Sequence, residues 1–197
     1  PTMIRMLYDI TGIDPTKGTE LCAVVEQMYS YEELFAHTGD NKWAERLEVI
    51  AFNALPATLS EDMWTHQYVQ QVNQIACQKT MIMAPWSTNG PYAHTFGLEP
   101  NFGCCTANFN QGWPKFALTP FMHNENTIIN AVMLPSVLKD NGVMIKLETN
   151  YPFENKMHYS IDSDKDFSFV IRIPSFAKNL KVNGEERFDS IFDENFA

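Results

Sequence analysis

Between residues 19 and 37, Leu21, Val24, Val25, Met28 and Phe35 recur close to a 3.6-residue period, which predicts a helix with one buried face. Gly39 follows His37 where a left-handed helix cap is expected. Asp40 is then placed to cap a second helix that buries Trp43, Leu47, Ile50, Ala51 and Ala54. This helix must stop before Pro56, because proline lacks the N–H that the next turn requires. The pattern therefore predicts two antiparallel helices joined by a short turn.

Residues 56 to 103 lose all strong periodicity and are dense in Asn, Gln, Pro and aromatics, the composition of a long functional loop. A third helix is predicted over 105–121, with Cys104 and Cys105 at its N-terminus, where the helix dipole favours thiolate. From about residue 127 the period becomes two. Strands are predicted at 128–134, 143–147, 157–161, 167–173 and 180–182, with Asn141-Gly142 and Asn183-Gly184 as hairpin turns, because both residue types tolerate positive φ.

The fold class expected is mixed, α then β, divided at about residue 125 into segments 1–125 and 126–197. Three helices are too few to close a helical barrel, the β pattern breaks off unfinished at Phe196-Ala197, and the first residue is not Met. The chain is expected to be cut from a longer one at both ends. Neither internal repeats nor low-complexity segments are present.

The formal net charge of −10, with 14 Lys and Arg spread along the chain, argues against a nucleic-acid partner. No apolar run approaches the ~18 residues of a membrane span, so no membrane partner is expected and the chain reads as soluble. The 24 acidic residues read as a solvated surface.

Four cysteines, Cys22, Cys77, Cys104 and Cys105, are too few for a disulfide scaffold of this length, and an adjacent pair closes a strained ring. Free thiols or metal ligands are the expected states. Glu20 and Cys22 open the first helix and Cys104 and Cys105 the third, giving one carboxylate and three thiols, a donor set suited to tetrahedral zinc. Residues two apart within a helix point to opposite sides, so Glu20 and Cys22 can share a metal only if the helix begins between or at them. Spacing alone leaves a second possibility open, that these are buried core cysteines.

The segments Gly18-Thr19-Glu20-Leu21-Cys22, Trp64-Thr65-His66-Gln67-Tyr68 with Gln70-Gln71-Val72-Asn73-Gln74, and Leu98-Glu99-Pro100-Asn101-Phe102-Gly103-Cys104-Cys105 resemble the zinc-dependent β-L-arabinofuranosidases of glycoside hydrolase family 127. Thr106-Ala107-Asn108 and Gln111-Gly112-Trp113-Pro114-Lys115-Phe116 continue the likeness, which covers roughly residues 12 to 185. The resemblance implies the C-terminal part of an (α/α)6 barrel followed by the beginning of a β-sandwich. It implies one zinc bound by Glu20, Cys22, Cys104 and Cys105, with Cys104 as the nucleophile of a retaining glycosidase acting on an arabinofuranoside or related plant glycan.

The family's general acid is a Glu shortly before the Glu-x-Cys motif, but no Glu precedes Glu20 here. Asp9 is the nearest carboxylate and Glu99 a second candidate. His66, Tyr68 and Asn73 are candidates to hydrogen-bond the sugar. Trp64, Trp86 and Trp113 either stack on it or pack in the core, and Thr106 and Asn108 read as helix caps. The alternative functions are a non-catalytic relative with a structural Glu/Cys3 zinc site and a redox-active vicinal dithiol. A fragment of a barrel cannot enclose a pocket, so the isolated segment is expected to be inactive. Zinc-bound free thiols and the absence of any Asn-x-Ser/Thr sequence lean toward a reducing compartment such as a bacterial cytoplasm.

Overall fold

The computed structural model describes residues 16–72, 74–80, 86, 89–186 and the backbone of 194–196. Asp9 and Asn73 lie outside the described residues. Helices dominate the first part of the chain and strands the second, the α-then-β order that the periodicity predicts. No described helix is long and apolar enough to cross a membrane.

A two-residue strand, β1 (Thr19–Glu20), leads into helix α1 (Leu21–Thr38). Gly39, at φ 64°, closes α1 by donating its N–H to the Phe35 carbonyl at 2.8 Å. Asp40 then caps α2 (Asn41–Val49), its Oδ1 accepting from the Lys42 N–H at 3.1 Å. Helix α2 runs on through a π-helical turn at Ile50–Ala54 and a 3-10 turn at Pro56–Thr58. Leu47 and Ala51 are buried as expected, together with Ala44 and Leu55, whereas Trp43, Ile50 and Ala54 of the expected face are half-buried. Trp43 is half-buried, with Lys42 and Arg46 over its ring.

The described residues fall into two compact units, one of residues 16–31 with those described between 47 and 116, the other of residues 32–46 with those described from 117 onward. In the first unit, Leu21, Val24, Val25 and Met28 of α1 are buried, as are Leu55, Val69, Ala93, Cys105 and Phe116. Strand β2 (Val69–Gln70) pairs antiparallel with β1 in the register Thr19 to Gln70 and Glu20 to Val69. Helix α3 (Gly103–Leu118) closes the unit and begins two residues earlier than predicted, so both cysteines of the pair lie in its first turn.

The second unit is mainly β. Strands β3 (Phe121–Asn124), β4 (Thr127–Asn130), β8 (Phe167–Ile171) and β11 (Glu194–Phe196) form one sheet in the order β11-β8-β4-β3, with β4 and β8 parallel. Strands β5 (Ser136–Asp140), β6 (Val143–Thr149) and β7 (Met157–Ser163) form an antiparallel second sheet. Strands β9 (Lys181–Val182) and β10 (Glu185–Glu186) make a small hairpin. Ile128, Phe167 and Phe169 from the first sheet pack with Val143 and Ile145 from the second, so the core of this unit lies between two sheets. Both Asn-Gly turns form with positive φ at each residue, Asn141-Gly142 at 44° and 81° and Asn183-Gly184 at 52° and 87°.

Candidate metal centre

The first unit brings together the four residues singled out by motif. One ligand atom each from Glu20, Cys22, Cys104 and Cys105 lies within 4.8 Å of the other three. The geometric condition on Glu20 and Cys22 is met because α1 starts at Leu21, between them. Glu20 is held in the β1–β2 pair, and Cys22 sits in the first helical turn. The start of α1 is itself fixed by the Leu21 N–H donating to the Tyr68 carbonyl at 2.9 Å.

The chemistry of the set fits a tetrahedral cation. Cys22 Sγ and Cys105 Sγ are 3.1 Å apart. Ligand bonds of about 2.3 Å to a tetrahedral zinc separate two sulfurs by about 3.8 Å, so accommodating a metal requires only a small opening of this pair. The hydrogen bond with Cys105 lowers the Cys22 pKa to about 7, helped by hydrogen bonds with Asn108 and Cys104 and opposed by burial. The same bond, together with burial, pushes the Cys105 thiol far up. Cys104 is raised by burial of its sulfur and then by Cys22. As residues, Cys22 and Cys105 are buried and Cys104 is exposed. The fourth cysteine, Cys77, stands apart from the cluster and accepts from Gln74 Nε2 at 3.2 Å.

The loop between α2 and α3 reaches both halves of the cluster. Tyr68 stacks on Phe102 with ring centroids 3.8 Å apart, and its hydroxyl donates to Glu20. Burial, followed by the charge and hydrogen bond of Glu20, raises the Tyr68 phenol to about 12. His66 is buried, its backbone bridged to Leu59 and Gly97, and its ring stacks on Phe109 of α3 at 6.0 Å. Burial lowers the His66 pKa against the pull of Glu99. Thr106 Oγ1 lies 3.1 Å from His66 Nε2 and donates to Glu99 Oε2 at 2.5 Å.

Thr106 and Asn108 are therefore not helix caps. Thr106 links two loop residues, and Asn108, four residues on from Cys104, turns its side chain to Cys22 and accepts from Gln111 Nε2 at 3.1 Å. The i, i+4 spacing from Cys104 was the signal that could have identified Asn108 as facing the cluster. Among the tryptophans, Trp113 commits its Nε1–H to the Ala51 carbonyl at 3.0 Å and packs edge-on to Phe109, a core role. Trp86 is half-buried, with its carbonyl accepting from Gln71, whereas Trp64 is 74% exposed.

The family signature described as Beta-L-arabinofuranosidase, GH127 catalytic domain, matches residues 8–118, and that of the GH127 middle domain matches residues 129–197. The helical segment with its Glu/Cys cluster thus matches a glycoside-hydrolase catalytic domain, and the two-sheet segment matches a middle domain of the same family. The chain belongs to glycoside hydrolase family 127. Its fold is shared with Ara127N-Se, a GH127 β-L-arabinofuranosidase from Geobacillus stearothermophilus T6, at a TM-score of 0.63 and 15% identity over 93% of this chain and 31% of that one. A structure described as a glycoside hydrolase matches at a TM-score of 0.73 and 20% identity, over 92% of this chain and 31% of that one. The GH127 β-arabinofuranosidase BT3674 matches at 0.61 and 18%, over 91% and 30%. The chain thus spans about a third of the length of each. No curated protein matches it.

Proposed function

We propose that the full-length protein carrying this chain is a retaining glycoside hydrolase, β-L-arabinofuranosidase-like, with Cys104 as its nucleophile. The observation that carries this reading is the asymmetry of the cluster: two thiols are buried and Cys104, on the first turn of α3, is exposed where a substrate can reach it. A nucleophile must be reachable by its substrate, whereas a structural ligand need not be. Family membership and the two similar β-arabinofuranosidases support a carbohydrate substrate, an arabinofuranoside or related plant glycan.

Zinc, held by Glu20, Cys22, Cys104 and Cys105, would keep the thiols deprotonated at neutral pH. Cys104 Sγ attacks the anomeric carbon as the bond to the leaving oxygen breaks, and water then displaces the sulfur. Each displacement inverts the carbon, so the pair retains its configuration. The leaving oxygen needs a proton, for which Asp9 is the candidate within this sequence. Glu99, whose Oε2 accepts a hydrogen bond from Thr106 Oγ1, is the weaker second candidate. Tyr68, half-buried with its hydroxyl on Glu20, is the best placed of the sugar-binding candidates, and Asn73 is retained as a third. His66, buried and engaged with Thr106, is placed less favourably to meet a sugar. The helical segment, with the boundary near residue 125, is proposed as the closing part of an (α/α)6 barrel and the remainder as the start of a β-sandwich.

The departure of residues 5–12 from the family's acid motif favours a second reading, a non-catalytic relative with a structural zinc site. Zinc content and hydrolysis of p-nitrophenyl β-L-arabinofuranoside by the full-length protein and its Cys104→Ser variant separate the two. Stoichiometric zinc with hydrolysis lost in the variant is the expected result. Zinc without cleavage across a panel of furanosides and pyranosides would replace the enzyme by the structural site, and absence of zinc would overturn both.

A further inference from the structure

Three side chains beside the cluster, none of them a metal ligand, form a continuous hydrogen-bonded chain: His66, Thr106 and Glu99. Thr106 has one hydroxyl hydrogen, and the 2.5 Å bond commits it to Glu99 Oε2. The hydroxyl oxygen has only lone pairs left to offer His66, so the imidazole must bring the hydrogen. We infer that His66 is held as the Nε2–H tautomer by Thr106 and Glu99, and that the three together are positioning residues that fix the first turn of α3 and with it Cys104 and Cys105.

The placement supports this role. Thr106 directly follows the cysteine pair, in a turn whose Cys105 and Thr106 N–H groups both donate to the Phe102 carbonyl, at 2.9 and 3.4 Å. Glu99 belongs to the segment that leads into α3, and its Oε2 lies about where a Cβ on Gly103 would touch it, at 3.8 Å. His66 is anchored on the other side, donating its N–H to the Gly97 carbonyl at 3.1 Å and accepting from the Gly97 N–H at 3.2 Å. Its ring also lies along Phe109, one turn further down α3. One imidazole thus ties the incoming loop, the first turn and the second turn of the helix together. A ligand-bearing turn held in this way loses little freedom on binding a metal, and outer partners of this kind commonly change metal affinity by about 10- to 100-fold.

The inference rests on the zinc reading for its consequence, but the hydrogen-bond chain can be tested without it. In the full-length protein, the imidazole nitrogen chemical shifts of His66 should report the Nε2–H tautomer at neutral pH. Thr106→Val should lose that signature and Thr106→Ser should restore it. Zinc affinity, measured by competition with a chromogenic chelator, should fall about tenfold or more in Thr106→Val and in Glu99→Gln and return in Thr106→Ser. A His66 signature indifferent to Thr106→Val, or zinc affinity in that variant within twofold of wild type, overturns the inference. If the wild type binds no zinc, the proposed function fails, and the tautomer together with the alkylation rate of Cys104 decides the clamp: a rate that does not change in Thr106→Val overturns it.

Discussion

The side chain of Val69 occupies the space that a Cβ on Gly18 would need. A methyl at Gly18 would collide with Val69 Cγ1 and come within 2.8 Å of the Gln70 carbonyl oxygen. Val69 is β-branched and buried, and the carbonyl is backbone, so neither can yield cheaply. The β1–β2 pair that carries Glu20 must separate to admit the methyl. Gly18→Ala is therefore expected to cost about 1–3 kcal/mol of stability and, on the proposed zinc reading, to weaken metal binding as well, because Glu20 moves with β1. Urea denaturation and chelator competition on the same preparation check both.

Gly112 presents the milder case. Its missing Cβ faces Leu55 Cδ2 at 2.8 Å and Val25 Cγ2 at 3.3 Å, the first being the end of a flexible side chain. Leu55 can change rotamer where Val69 cannot, so Gly112→Ala should destabilise less than Gly18→Ala, and the added helix propensity of alanine offsets part of the strain. Gly112→Val reaches further into the same contact and should cost more. The order of the three urea midpoints is the check.

What the sequence made legible follows from which interactions are local. Helix α1 was predicted within two residues because its apolar spacing, glycine cap and following aspartate all lie in one stretch. Helix α3 ends at Leu118 rather than residue 121, because Phe121 opens β3, a strand the period did not reveal, which pairs with the predicted strand β4. The strand expected to run to residue 134 stops at Asn130, whose amide donates to the Pro120 and Val132 carbonyls and turns the chain away. The four cluster residues were readable as a donor set from residue type and position at two helix starts. Thr106 and Asn108 were not, because capping and cluster-facing roles use the same residue types, and only the loop residues Glu99 and His66 and the distant Cys22 decide between them.

His94 should make the protein acid-sensitive. It is fully buried, and its Nδ1–H donates to the Val69 carbonyl at 3.0 Å. Burial lowers its pKa, with the Val69 bond acting the other way. The unfolded chain therefore takes up a proton near pH 6.5 that the folded protein resists, so the contribution of neutral His94 is complete above about pH 6.5 and is lost as pH falls below it. His66, lowered by burial, acts in the same direction. Urea midpoints are expected to drop between pH 7.5 and pH 5, and His94→Gln to show a shallower drop. An equal slope in wild type and variant would remove His94 as the cause.

In the β unit, Asn130 is fully buried, and its Oδ1 accepts from the Tyr159 hydroxyl at 2.7 Å. Burial pushes the Tyr159 phenol up, against the pull of the Arg172 charge, so it stays a neutral donor across the physiological range. Arg172 reinforces the same corner, donating from Nε to the Ala131 carbonyl at 2.5 Å. Tyr159→Phe keeps the ring that packs edge-on to Phe169 but leaves the Asn130 oxygen buried without this donor, an expected cost of about 1–3 kcal/mol. Asn130→Leu should cost at least as much, because the Pro120 and Val132 carbonyls lose their donor together. Since both variants act on one network, the double variant should be less destabilised than the sum of the two. A double-mutant cycle by urea denaturation measures the difference, and strict additivity would mean that the Tyr159–Asn130 bond contributes nothing to the stability of the sheets.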